Sequence, residues 1–171
     1  MLNSHKIMIK TEASEQIGLG HIRRMMTLGQ YLNENKNNGV IYAINKDEIA
    51  KTSLEEKGYL YDYEYAESEE ELIKIIKKHK PDILIIDVQK LDSNTNYNFK
   101  NIKEQAGINK IILVDKYVEN DSVDLMIIQG IQDHKFEEKF KHNSKVIFGL
   151  DCVFINTEFA KAKKKEIQVP Y

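Results

Sequence analysis

Gly18-Leu19-Gly20-His21, with Ile22-Arg23-Arg24 directly behind, are the residues of this chain whose types and spacing suit chemistry. Glycines at the start of a helix leave backbone N–H groups free, and the positive end of the helix dipole adds to them. An anion such as a phosphate or a sugar diphosphate is stabilised there. A histidine on the first turn beside that anion can take a proton near neutral pH, although a histidine also serves as an ordinary helix-start residue. The two glycines are not the GxGxxG dinucleotide fingerprint, because Arg23 stands where its third glycine would be. They are not a glycine-rich phosphate loop ending in Gly-Lys-Ser/Thr either.

Two acids share this theme. Asp87 closes the apolar run Ile83 to Ile86, and Asp115 closes Lys110 to Val114. A continuous apolar run capped by an acid is the pattern of a central parallel strand whose last side chain lies at the ligand edge of the sheet. Acids also end strands simply to cap the next helix. Arg23 and Arg24 read first as a solvated helix face, and alternatively as placing one guanidinium near a phosphate or carboxylate at the mouth of the site.

These residues need elements to position them, and the chain supplies strands alternating with helices. Ile7-Met8-Ile9 is a first strand, and Thr11 to Gln16 a polar loop. The helix from about Gly20 to Asn35 carries Ile22, Met25, Met26, Leu28, Gly29 and Leu32 at three- and four-residue spacing. Val40 to Ile44 is a second strand, followed by a helix over Glu48 to Lys57 capped by Asp47 and stopped by Gly58. Tyr59 to Tyr65 reads as an edge or half-buried strand; its tyrosines suit that role better than a base-stacking surface. Ser68 starts a helix that bears Leu72, Ile73, Ile75 and Ile76 and ends at His79. A helix is expected over Asn94 to Gln105, strands over Val123 to Ile128 and Lys145 to Gly149, and a helical turn at Phe136 to Phe140. His134 and His142 fall in polar surroundings and are expected at the surface.

Such alternation predicts an α/β, Rossmann-like domain with a mainly parallel sheet and helices on both faces. The ligand crevice then lies outside the carboxyl ends of the strands where the strand order reverses, naturally at the first strand. Composition agrees with this class. Hydrophobic residues are 42% and charged residues 30% of the 171, which fits a folded domain or half of a larger protein. With 25 basic against 27 acidic residues, the formal charge of −2 makes no electrostatic case for nucleic acid. Cys152 is the one cysteine, so an internal disulfide and a cysteine-built metal cluster are excluded. No apolar run approaches the roughly 20 residues of a membrane span, and the first residues lack a signal-peptide core, so the cytoplasm is the expected location. No metal or cofactor is expected.

The same residues resemble the amino-terminal half of the UDP-sugar hydrolases of pseudaminic-acid biosynthesis and their spore-coat polysaccharide relatives. The matching segments are Lys10-Thr11-Glu12-Ala13-Ser14, Ile17-Gly18-Leu19-Gly20-His21 with Arg24, Ile85-Ile86-Asp87-Val88-Gln89 before Leu91-Asp92, Asp115-Lys116, Gly149, Val153-Phe154-Ile155 and Glu158-Phe159. They cover almost the whole chain in order. The glycine-histidine loop is also similar to that of the lipid-linked glycosyltransferases of peptidoglycan synthesis. Departures from the hydrolase pattern are Lys10 for arginine, Glu12 for aspartate, Gln89 for tyrosine and Lys116 for aspartate.

The resemblance implies a GT-B fold, with residues 1–155 as the amino-terminal Rossmann-like domain. It makes 156–171, with the basic run Lys161 to Lys165, a linker toward a carboxyl-terminal nucleotide-binding domain. It implies water attack on the anomeric carbon of a UDP-sugar, assisted by His21 and Asp87. Glu12, Gly18, Gly20, Arg24, Gln89 and Asp115 would then bind substrate. A helix N-terminus disfavours the imidazolium and would keep His21 usable as a base. Two alternatives stand beside this one: a glycosyltransferase of the same fold using a UDP-sugar donor, and a non-catalytic binding or scaffold subunit paired with a separate nucleotide-binding chain. The isolated chain is expected to fold but to bind UDP weakly or not at all.

Overall fold

A computed structural model of the protein describes residues 4–36, 38–55, 62–89, 97–130, 132 and 134–155. Seven strands form one all-parallel sheet: β1 (Lys6–Thr11), β2 (Gly39–Ile44), β3 (Asp62–Tyr65), β4 (Ile83–Asp87), β5 (Lys110–Val114), β6 (Leu125–Gln129) and β7 (Val146–Gly149). Their order across the sheet is β3-β2-β1-β4-β5-β6-β7, so the order reverses between β1 and β4. The helices are α1 (Gly20–Lys36), α2 (Glu48–Glu55), α3 (Glu69–His79), α4 (Phe99–Ala106) and α5 (His134–Phe140).

Strand alternation divides the core. Ile7 and Ile9 of β1 and Ile85 of β4 pack with Ile22, Met25 and Met26 of α1 and with Ala50 and Leu54 of α2. Met8 of β1, with Leu84 and Ile86 of β4, packs on the opposite face against Leu72, Ile73 and Ile76 of α3, Ile102 of α4 and Phe140 of α5. Helices therefore cover both faces, as the near-continuous apolar runs of β1, β2 and β4 require. The chain is an α/β, Rossmann-like fold.

Local signals explain where the elements begin and end. Ser68 accepts a hydrogen bond from the Glu71 N–H at 3.2 Å, Glu69 to Glu71 fill the first turn of α3, and Lys77, Lys78 and His79 its last. Both ends complement the helix dipole. Gly29 lies where α1 crosses β2: a Cβ there would fall 2.0 Å from the Tyr42 hydroxyl, so no larger residue fits without moving that ring. This hydroxyl in turn donates to the Met25 carbonyl at 3.2 Å.

The structure departs from the sequence reading in two places. The ten residues between β5 and β6 contain no helix, so the alternation breaks there. Instead Asp124 accepts from the Ile111 N–H at 2.8 Å and pairs with Lys103 and Lys110, tying the connection to the start of β5. Helix α4 begins at Phe99, because Asn98 caps it by accepting from the Asn101 N–H at 3.0 Å. The expected earlier start at Asn94 lies outside the described residues, as do Tyr59 to Tyr61 of the expected third strand. β3 is an edge strand of half-buried and exposed residues, as its alternating tyrosines predict. His134 and His142 are exposed. Among the described residues no helix is long and apolar enough to cross a membrane.

Candidate functional site

β1 and β4 are neighbours in register, with Thr11 beside Asp87, and β4 and β5 are neighbours in turn. The carboxyl ends of these strands bring the polar residues together, at the reversal of strand order where α/β sheets open a crevice. After β1 the chain makes a closed turn: Gly18 N–H donates to the Ser14 carbonyl at 2.8 Å, and Ile17 N–H to the Ser14 hydroxyl at 3.1 Å. Gly18 has φ of +79°, a conformation that glycine adopts without a Cβ clash. This turn delivers Gly20 and His21 to the first turn of α1, which carries no acid. Gly20 is exposed.

His21 and Arg24 are three residues apart on α1 and share a face. His21 Nδ1 lies 2.7 Å from Asp87 Oδ1. Arg24 donates to both oxygens of Asp87, through Nε to Oδ2 and through Nη2 to Oδ1 at 2.5 Å, and through Nη1 to Asp115 Oδ2. The Asp87 side chain is fully buried, and those of His21 and Arg24 are 16% and 22% exposed. A buried carboxylate is tolerated only when paired and hydrogen-bonded, and Asp87 is both. Burial alone would lower the Arg24 pKa, but the bonds and charge of Asp87, with those of Asp115, outweigh it and hold the guanidinium above its ordinary value.

The network selects a histidine tautomer. Arg24 Nη2 lies 3.1 Å from His21 Nδ1 and can only donate, whereas the Arg24-paired carboxylate oxygen Asp87 Oδ1, closer at 2.7 Å, can only accept. Asp87 is the acceptor available to Nδ1, so Nδ1 carries the proton. The free lone pair is on Nε2, which has no hydrogen-bond partner among the described residues.

The structure thus brings together His21, Arg24, Asp87 and Asp115, from one helix and two adjacent strands. The reading of Arg24 as a solvated residue does not hold: it lies inside the cluster, while Arg23 is exposed. Asp87, fully buried, lies behind His21. Glu12 stands to one side, half-buried, with Oε1 accepting from the Gln89 N–H at 2.5 Å, which joins the loops after β1 and β4. Gln89 contributes its backbone here and is otherwise exposed. Lys116 is half-buried. Leu91, Asp92, Glu158 and Phe159 lie outside the described residues. Among the described residues no group of three or more His, Cys, Asp or Glu side chains is placed to hold a metal ion.

Two supporting residues escaped the sequence reading. Asn45, directly after β2, holds the backbone of Ala13 from both sides: its Oδ1 accepts from the Ala13 N–H at 3.0 Å and its Nδ2 donates to the Ala13 carbonyl at 2.8 Å. A polar residue immediately after an apolar strand was the available signal. Lys10 is 2% exposed and donates to the Ala66 carbonyl at 2.8 Å, anchoring the end of β3 to β1. Burial drives its pKa from 10.5 down to about 8, against the raising effects of Glu12, Glu67 and Glu71.

Lys10 has a consequence for stability. Between about pH 8 and 10.5 the unfolded chain binds a proton at Lys10 that the folded chain has released. The burial penalty is therefore fully present below the folded value and disappears as pH rises to the unfolded one. Lys10→Met removes that penalty at every pH. The free-energy gap between variant and wild type is expected to shift against the variant by on the order of 3 kcal/mol from pH 7 to pH 10.5. Urea unfolding of both proteins across this range measures it; a constant gap would show that Lys10 keeps the same charge in both states.

No family model matches the chain. Over 168 residues it is 27% identical to an uncharacterized protein of Methanocaldococcus jannaschii, a stretch covering 94% of this chain and 33% of that protein. The chain thus spans about a third of the length of the curated relative it matches.

Proposed function

We propose that this chain supplies the base-bearing half of a nucleotide-sugar hydrolase acting on UDP-sugars. The reading rests on one observation: His21 is held through Nδ1 by a fully buried Asp87 at the reversal point of the sheet, which leaves Nε2 as the acceptor. In the proposed step Nε2 takes a proton from water as the water oxygen bonds to the anomeric carbon. The bond from that carbon to the diphosphate oxygen breaks, and UDP leaves with the electron pair. A base so placed contributes about 10²–10⁴-fold in rate. Asp87 orients the ring and offsets the positive charge that forms on it. The free N–H groups around Gly20 face developing anionic charge.

Arg24 is committed to two carboxylates and is not free to neutralise a diphosphate. The nucleotide would therefore be held by a further domain or a separate chain, in keeping with the greater length of the relative. A surface-polysaccharide or nonulosonic-acid pathway is the setting that the sequence resemblance implies.

The test is release of UDP and free sugar from UDP-N-acetyl sugars by the full-length protein encoded with this chain, with no acceptor present. Sugar release without acceptor supports the hydrolase. UDP release that appears only when a sugar or lipid acceptor is added would replace it with a glycosyltransferase. Absence of both, with the protein folded, would leave a binding or scaffold subunit.

A further inference from the structure

We infer that Asp115 is a positioning residue, acting through Arg24 and Asp87 to keep the proton of His21 on Nδ1. The inference rests on reading His21 as the base, but its test does not require catalysis. Both oxygens of Asp115 are taken by the protein. Oδ2 accepts from Arg24 Nη1, and Oδ1 accepts from the Gln129 N–H at 2.7 Å. Its own N–H donates to the Ile127 carbonyl at 2.8 Å. Asp115 is thereby pinned to the end of β6 by main chain and side chain together. Each oxygen of Asp115 is thus held by a group of the protein, one on the Arg24 side and one on the β6 side.

Backbone geometry supports the same view. Asp115 has φ of +55°, one of two non-glycine residues with positive φ among those described. Aspartate tolerates the left-handed region better than most residues, yet the conformation costs free energy and persists only where surroundings over-determine it. Here it turns the carboxylate from the end of β5 back toward Arg24 while Gln129 fixes its other oxygen.

The consequence runs along a single path. Arg24 is a planar fork with one arm on Asp115 and two nitrogens on Asp87. With the Asp115 arm in place, the fork has one orientation, and Asp87 Oδ1 stays in line with His21 Nδ1. Without it the Arg24–Asp87 pair is no longer tied to the end of β5 and can shift as a unit, drawing Asp87 Oδ1 out of line with His21. An unconstrained imidazole does not keep its proton on Nδ1 alone. The charged groups that meet His21 in this network are Asp87 from β4 and Arg24 from its own helix, with Asp115 behind Arg24 from the end of β5.

The experiment is nitrogen-15 NMR of the His21 ring in the present chain, wild type against Asp115→Asn and, separately, Arg24→Lys, with a thermal melt of each. Asn keeps the shape of Asp115 but not its charge, and Lys keeps the charge of Arg24 but not its fork. Wild type is expected to show the Nδ1–H tautomer alone. Each variant is expected to show a mixture with the Nε2–H form, and the double variant no more than the single ones, because both break the same path. A folded variant that retains the pure Nδ1–H form would overturn the inference, whatever its melting temperature. Should Asp115→Asn fail to fold, Arg24→Lys decides by the same criterion. In the full-length protein Asp115→Asn should lower kcat while leaving KM within about twofold, as expected of a residue that acts through Arg24 and not on the substrate. A failed hydrolase assay with a mixed tautomer in the variants would remove the reaction and keep the coupling; the reverse pattern would do the opposite.

Discussion

His21→Ala in the full-length protein is expected to lower kcat for UDP-sugar hydrolysis by about 10²–10⁴-fold, with KM changed little. The proton it accepts moves only in the transition state, so its loss is felt in turnover rather than in binding. A histidine that merely starts a helix would behave differently. Its replacement would alter stability by about 1 kcal/mol or less and leave the turnover of the folded enzyme nearly unchanged. The two roles separate by magnitude and by kinetic parameter. Steady-state kinetics of both proteins, each shown by its melt to be folded, makes the measurement. More than about a tenth of wild-type kcat in the folded variant would return His21 to a helix-start residue beside an anion site.

Asp87→Ala should produce the largest loss of stability among the site substitutions, about 3–5 kcal/mol. The carboxylate has no exposed surface and neutralises a mostly buried Arg24. Its removal leaves the guanidinium with Asp115 as its remaining anionic partner and takes the acceptor from His21 Nδ1. For a domain of this size the loss corresponds to a fall in Tm on the order of 10 °C. The double variant Asp87→Ala, Arg24→Met should recover part of it, because the uncompensated buried cation is then gone and an apolar side chain of similar length takes its place. Thermal or urea unfolding of the wild type, the single and the double variant forms the test. A double variant less stable than Asp87→Ala alone would mean that the cost lies in packing, not in the unpaired charge.

The hydrolase reading and the stability reading place different demands on the same four residues. Asp87 is needed for both, whereas His21 is needed for turnover. This asymmetry follows from burial: the energetic cost of an unpaired charge falls on Asp87 and Arg24, which stay paired with each other when His21 is removed.

Much of this protein was legible in the order of its residues. β4 reads as a central parallel strand because Ile83 to Ile86 is apolar without alternation, and a strand covered on both faces must be so. The Ser68 cap and the charged ends of α3 mark that helix because its orphan N–H and C=O groups need local partners, and local partners are close in sequence. For the same reason the Gly18–His21 turn pointed to the start of α1, and Asp87 and Asp115 to the edge of the sheet.

Pairings between distant residues were decided only by the tertiary structure. Arg24 reads as a solvated residue in the linear chain because most arginines on a helix surface are, and nothing within α1 satisfies it. Its partners are 63 and 91 residues away and meet it only when β4 lies beside β1 and β5 beside β4. Nothing around Lys10 in the linear chain marks it as buried; its partner, the Ala66 carbonyl, is 56 residues away, and burial lowers its pKa only once the two meet. The absent helix between β5 and β6 belongs to the same class, since Asp124 fixes that connection through Ile111, Lys103 and Lys110 rather than through any pattern of its own. Periodicity and capping are short-range and written in neighbouring residues. Charge pairing in a buried site is long-range, and its cost and its benefit both arise only when folding has excluded water around the ions.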